Sequence, residues 1–194
     1  MGQEEVIYWL DASDRIQAVN ASWDAFAREN DGEAILEDRV LGKPIRQFIS
    51  GDPTKMWLDT LVAYARISEE KITREYRCDS PDTKRFMEMS VAPEADKQVR
   101  LTHRILKVEA MEPPVAFETA PESASDAALN PAPNQIQFLC FRCSICNRVQ
   151  VQGQWQEGDA ATRAGHLDPS PRVIYRVCES CRDKISEYRD LRSS

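Results

Sequence analysis

Apolar and polar positions along the first 110 residues fall into two rhythms, a period of two in five stretches and a helical period in two others. VIYWLD (6–11) reads as a strand, Ala-Ser-Asp (12–14) as a turn, and RIQAVN (15–20) as a second strand with Ile16 and Ala18 on one face. Asn20 or Ser22 can then cap a helix running through Glu29. In it Trp23, Phe26 and Ala27 recur on one side and Asp24, Arg28 and Glu29 lie opposite. After the Gly-Lys-Pro and Gly-Asp-Pro turns at 42–44 and 51–53, Trp57, Leu58, Leu61, Val62 and Ala65 make the apolar stripe of a longer helix, 54–68. Three more strands follow at 71–78, 84–92 and 97–110. Alternation places Met87, Met89 and Val91 on one face of the second, and Val99, Leu101, His103 and Ile105 on one face of the third. The order is β-β-α-α-β-β-β.

Beyond residue 110 the pattern stops. Residues 111–135 hold five of the eleven prolines, repeated Ala, Ser and Glu, and no Lys or Arg, which is the composition of a linker. The expected organisation is therefore a domain over 1–111, a linker over 112–134, and a tail over 135–194. A tail that short needs a metal or disulfides to hold a fold. The net charge of −7 divides as 16 Lys/Arg against 21 Asp/Glu in 1–111, none against four in 112–134, and nine against seven in 135–194. A balance of +2 in the tail is a weak nucleic-acid footprint. The N-terminal sequence has no basic segment leading into an apolar run, and no long apolar run follows, so a cytoplasmic location without a membrane segment is expected.

The phrase LDASDRIQAVNASWDAFARENDG, set in that element order, resembles the opening of PAS domains, with Asp11, Ile16 and Asn20 at the matching positions. The resemblance covers about residues 4–110. It implies an α+β fold, a five-stranded antiparallel sheet with helices on one face, and a role in sensing a ligand or light or in protein contacts, homodimerisation included. Trp23, Phe26, Phe48, Trp57, Met87, Met89 and His103 are the residues that could line a ligand pocket, with no ligand identified. At these periods the same residues also make an ordinary core, and that reading is preferred. His103 is accordingly read as a core histidine bonded to a neighbour, and Cys78, in YRCDSPDT, as a structural residue. The motif of the flavin-binding photoactive branch is absent.

Five of the six cysteines lie after residue 139. Cys143-Ser-Ile-Cys146 and Cys178-Glu-Ser-Cys181 are two C-x-x-C pairs separated by 31 residues. Each pair can bend the backbone so that two thiolates reach one ion, and together they complete an S₄ shell suited to zinc, iron being the second choice. Cys140 and His166 are the competing ligands. Between the pairs, 148–156 reads as a hairpin with Gly153 at its turn. After them, 182–191 reads as a helix with Ile185, Tyr188 and Leu191 on one face, so Cys178 and Cys181 should sit at a helix start. Knuckle, hairpin and helix make a treble-clef pattern, with a zinc ribbon as the alternative.

The segment 143–185 is also similar to the cysteine-rich tail of some bacterial PAS-containing signalling proteins. This chain departs from that tail in having Arg176-Val177 before Cys178 where His-Gly-Ile is frequent. There is no nucleophile and base set, phosphate loop or paired-acid cluster, and a four-cysteine site has no open position for substrate, so an enzyme is not expected. The first expectation is a signalling or regulatory protein whose zinc module docks a partner protein. Nucleic-acid binding through the tail and a thiol redox sensor are the alternatives.

Overall fold

A computed structural model describes residues 5–30, 32–119 and 139–190, the side chains at 139 and 186–190 excepted. The chain divides into two compact units. One comprises 1–78 and 85–108, the other 79–84 and 109–194.

The first unit is an antiparallel sheet of five strands: β1 (Val6–Leu10), β2 (Ile16–Val19), β3 (Ile72–Arg77), β4 (Thr83–Pro93) and β5 (Val99–Ala110), in the order β2-β1-β5-β4-β3. The register sets Tyr8 opposite Val19 on one side and Leu101 on the other, and Met89 opposite Arg74. Alternation along β1 therefore buries Val6, Tyr8 and Leu10 on the face that also receives Met89, Val91, Val99 and Leu101. Helices α1 (Ser22–Glu29), α2 (Glu37–Val40) and α3 (Asp52–Ser68) supply the rest of that core through Trp23, Val40, Leu58, Leu61, Val62 and Ala65. This is the five-stranded antiparallel PAS-like arrangement that the resemblance implied. α2 and the short 3₁₀ turns at Glu33–Ile35 and Ile45–Phe48 were not read from the pattern, because each is too brief to show a period.

Two residues of the shared motif have structural work. The Asn20 side chain accepts from the Ile7 N–H at 3.0 Å and donates to the Glu5 carbonyl at 2.7 Å, while its own N–H reaches the Ile7 carbonyl at 2.9 Å. Asp11 closes the first turn by accepting from the backbone N–H groups of Ser13 (2.7 Å) and Arg15 (2.9 Å). Such side-chain acceptors replace missing backbone partners in a tight turn. Arg66 of α3 then donates to the Asp11 carbonyl at 2.7 Å and pairs with Asp14 at 2.8 Å, fixing the long helix against this turn.

The second unit holds a mixed sheet in the order β6-β10-β7-β8-β9, made of β6 (Glu118–Thr119), β7 (Leu139–Cys143), β8 (Val149–Val151), β9 (Gln154–Gln156) and β10 (Arg172–Arg176). β10 runs parallel to both β6 and β7, whereas β7, β8 and β9 pair antiparallel. Gln152 and Gly153, both at positive φ, make the two-residue turn of the β8–β9 hairpin. Helix α4 (Gly158–Arg163) packs against β8, and α5 (Glu179–Asp190) follows β10.

Residues 109–119, of which 109–111 were expected in the first domain and 112–119 as linker, belong to this second unit. Val115 is fully buried and Met111 nearly so, and the N–H groups of Met111 and Val115 donate to the carbonyls of Asp82 (2.7 Å) and Pro81 (2.8 Å). The remainder of the expected linker, 120–134, lies outside the described residues. Among the described residues no helix is long and apolar enough to cross a membrane.

Candidate metal centre

Cys143 ends β7. The chain turns immediately: the Asn147 N–H donates to the Cys143 carbonyl at 3.1 Å and the Cys143 N–H to the Arg148 carbonyl at 2.8 Å. Closing so tight a turn puts Asn147 in the left-handed region at φ 57°. Asparagine tolerates that conformation where most residues do not, so the knuckle forms without a glycine after its second cysteine. Across the sheet, β10 delivers Cys178 directly before α5 and Cys181 in that helix's first turn. Because β10 and β7 are parallel neighbours with Arg176 opposite Cys143, both pairs arrive at the same end of the sheet.

The four sulfurs of Cys143, Cys146, Cys178 and Cys181 lie within 4.8 Å of one another, and Cys146 Sγ and Cys178 Sγ are 3.7 Å apart. A tetrahedral shell with Zn–S of about 2.3 Å has edges of about 3.8 Å, so the spacing fits such an ion. Cys143 and Cys178 are buried, with Cys181 at 7% exposure. Around them are groups that suit anionic sulfur. The Cys178 N–H points at Cys143 Sγ (3.4 Å), and the Ser180 hydroxyl, inside the second pair, lies 3.3 Å from Cys178 Sγ. The sequence had marked the cysteines but not Ser180 or Asn147, although both stand within or beside the pairs. The element order is knuckle, hairpin and helix, with α4 and β10 inserted before the helix.

The thiols are not independent acids. Hydrogen bonds from the Cys146 and Cys181 thiols pull Cys143 far below the ordinary thiol range. Their hydrogen bonds to Cys143 in turn push Cys146 up to about 12 and Cys181 higher still. So packed, the cluster favours one thiolate. Only a cation can stabilise four, and binding one would release protons.

Neither competing ligand joins the cluster. Cys140 and Cys143 are both in strand β7, where residues three apart point to opposite faces, and burial pushes the Cys140 thiol up to about 11. His166 is exposed in the turn after α4. Of the helix face expected after the second pair, Ile185 is half-buried, while Tyr188 and Leu191 lie outside the described side chains.

In the first unit, Trp23 and Met89 belong to the hydrophobic core, Phe26, Phe48 and Trp57 pack against that core, and Met87 is 2% exposed. His103 stacks on Tyr8, with centroids 5.5 Å apart and planes 11° apart, and its Nδ1 lies 2.8 Å from the Tyr76 hydroxyl. Its Nε2 is buried with no hydrogen-bond partner, and burial lowers the imidazole pKa to about 4. Cys78 is exposed at the end of β3.

No protein-family model and no curated protein sequence matches the chain. Similar solved structures include a domain of an HTR-like protein from Haloarcula marismortui, at 15% identity and a TM-score of 0.41, covering 53% of this chain and 98% of that one. A sensory box sensor histidine kinase from Vibrio cholerae is similar at 12% identity and a TM-score of 0.40, over 55% and 84% of the two chains. The PAS domain of BvgS from Bordetella pertussis follows at 20% identity and 0.35, over 53% and 72%.

Proposed function

We propose that this is a signalling or regulatory protein in which a PAS-like sensing or dimerisation domain works with a structural zinc module that docks a partner protein. The observation that carries the reading is the closed set of four cysteine sulfurs within 4.8 Å. Four thiolates saturate zinc, leave no position for substrate or activated water, and make the ion a fold-holding element. A tetrahedral four-sulfur shell suits zinc and iron alike, and the two are told apart directly by elemental analysis.

The test couples metal to docking. Purified chain should carry about one zinc per molecule, and a partner that co-purifies with it should be lost with Cys143→Ser and retained with Cys140→Ser. A reduced, metal-free chain whose second unit is folded would sink the zinc reading. Retention on mixed DNA or RNA, reversed by salt, would replace protein docking by nucleic-acid binding. Reversible zinc release by peroxide, with the partner released in step, would favour the thiol sensor.

A further inference from the structure

The hairpin of β3 and β4 is divided between the two units. Its strands pair in the first, from Ile72 opposite Val91 to Arg77 opposite Phe86, and the Cys78 N–H donates to the Arg85 carbonyl at 3.0 Å. Its closing residues, 79–84, belong to the second. The turn is stiff in itself. Ser80 and Thr83 exchange backbone hydrogen bonds at 2.9 and 3.3 Å, and both hydroxyls donate to the Asp82 carboxylate at 2.9 Å. Only Cys78 separates β3 from the turn, and Lys84 is joined directly to Arg85 inside β4, so the chain has no flexible linker at this boundary.

The turn is tied into the second unit through both backbone and charge. The carbonyls of Pro81 and Asp82 accept from the N–H groups of Val115 (2.8 Å) and Met111 (2.7 Å). The Asp79 side chain is 1% exposed and lies 3.6 Å from the Arg142 guanidinium, and the Lys84 ammonium lies 2.7 Å from Asp159 and 3.8 Å from Glu157. These charges end beside the cysteine cluster. Arg142 immediately precedes Cys143 in β7, and Glu157 pairs with Arg148, whose carbonyl accepts from the Cys143 N–H at 2.8 Å. A buried charge that loses its partner is left desolvated, so the turn and the first knuckle are held together or released together.

We infer that the β3–β4 turn couples metal binding in the second unit to the PAS-like sheet of the first. The seated turn holds Arg142 and Arg148 where the Cys143 knuckle needs them, and a filled cysteine site holds the turn and with it the ends of β3 and β4. Such coupling is reciprocal: whatever factor the seated turn adds to metal affinity, the metal adds to the seated state. Metal affinity then depends on the state of the sheet, and the order of the sheet on the metal. The inference rests on the metal reading of the four cysteines and says how the sensing part and the zinc module act on each other. Asp79 and Lys84 are positioning residues in it, acting on the knuckle through Arg142 and Glu157.

Amide hydrogen exchange of the full chain, loaded with zinc and after removal of the metal by a chelator under reducing conditions, tests this. Metal removal should speed exchange in the first-unit part of the hairpin, 72–77 and 85–91, by about 5- to 150-fold, the usual span of coupling between sites, and added zinc should restore it. Exchange in α1 should rise less. Equal exchange of the hairpin in the two states overturns the coupling and leaves the metal reading standing, whereas a reduced chain that takes up no metal overturns both. A rise as large in α1 as in β3 and β4 overturns the hairpin as the route. Asp79→Leu combined with Arg142→Met removes the buried pair without stranding a charge. That double variant should bind zinc about tenfold more weakly than the parent in competition with a chelating dye, and metal removal should alter its hairpin exchange less. Zinc affinity and exchange equal to the parent's overturn the part given to Asp79.

Discussion

The ammonium of Lys84 lies 2.7 Å from the carboxylate of Asp159, and each side chain is only 9% exposed. Around this pair Glu157 approaches Lys84 at 3.8 Å and accepts from Arg148 at 3.1 Å, and Arg163 lies 3.7 Å from Asp159. Breaking a buried ion pair strands one desolvated charge, which costs about 3 to 5 kcal/mol. Lys84→Met should therefore destabilise the second unit by an amount of that order, and the double change Lys84→Met with Asp159→Leu should recover much of the loss. Chemical denaturation followed at second-unit amide signals by NMR reads both.

The same pair gives that unit an acid limit. Burial alone would raise the Asp159 pKa, but the hydrogen bond and charge of Lys84 outweigh it and hold the carboxyl below its ordinary value of 3.8. A depressed acid contributes stability that is complete above the unfolded pKa and is lost as pH falls through the folded one. The contribution should be flat from neutral pH down to about 4 and decline below that. Asp159→Asn should remove the pH dependence from this source.

His103 should act in the opposite unit and at higher pH. Its imidazole ionises at about 4 when buried and at 6.5 when exposed. Between those values the unfolded chain binds a proton that the folded chain refuses, so stability falls as pH drops from 6.5 towards 4 and the slope ends there. The loss is on the order of a few kcal/mol. His103→Gln should flatten this part of the stability profile of the first unit, and NMR of the parent ring should find it neutral at pH 5.5.

Metal content separates the cysteines. Cys143→Ser, Cys146→Ser, Cys178→Ser and Cys181→Ser should each lower bound zinc well below one per chain and unfold the second unit. Cys140→Ser and His166→Ala should leave it at one. Acid should release the metal, because each sulfur must lose its proton to bind. Elemental analysis after gel filtration at several pH values measures this.

A fragment beginning at residue 135 should stay unfolded even with zinc. It lacks Met111 and Val115, and Phe117, whose ring lies 3.9 Å from the Arg142 guanidinium and packs against Gly158. It also lacks Asp79, 3.6 Å from Arg142. Circular dichroism of that fragment beside the full chain decides. In the full chain Val115→Ala should cost about 1 to 3 kcal/mol, the usual range for a truncated core aliphatic.

The PAS-like sheet was legible because its signals are local. Met87, Met89 and Val91 alternate with polar residues and face inward as read, and Asp11 and Asn20 sit where their side chains close a hairpin. The cysteine pairs were legible for the same reason, as C-x-x-C spacing is a property of one turn. What escaped the pattern depends on partners distant in sequence. Val115 and Phe117 are two apolar residues in a Pro- and Ala-rich run. Val115 gains its place by pairing with Pro81, and Phe117 by packing on Arg142 and Gly158. β10 was missed too: RVIYR is short, and its parallel neighbours lie more than 30 residues away in the sequence.

Parallel pairing of β7 with β10 sets the positions of all four sulfurs from one end of a sheet. The crossover beyond the knuckle and hairpin, including the turn at 164–170, is free of that duty. Its length and composition can drift over evolution, by insertion or deletion, without displacing a single ligand, so in diverged sequences the two C-x-x-C pairs should outlast any fixed distance between them.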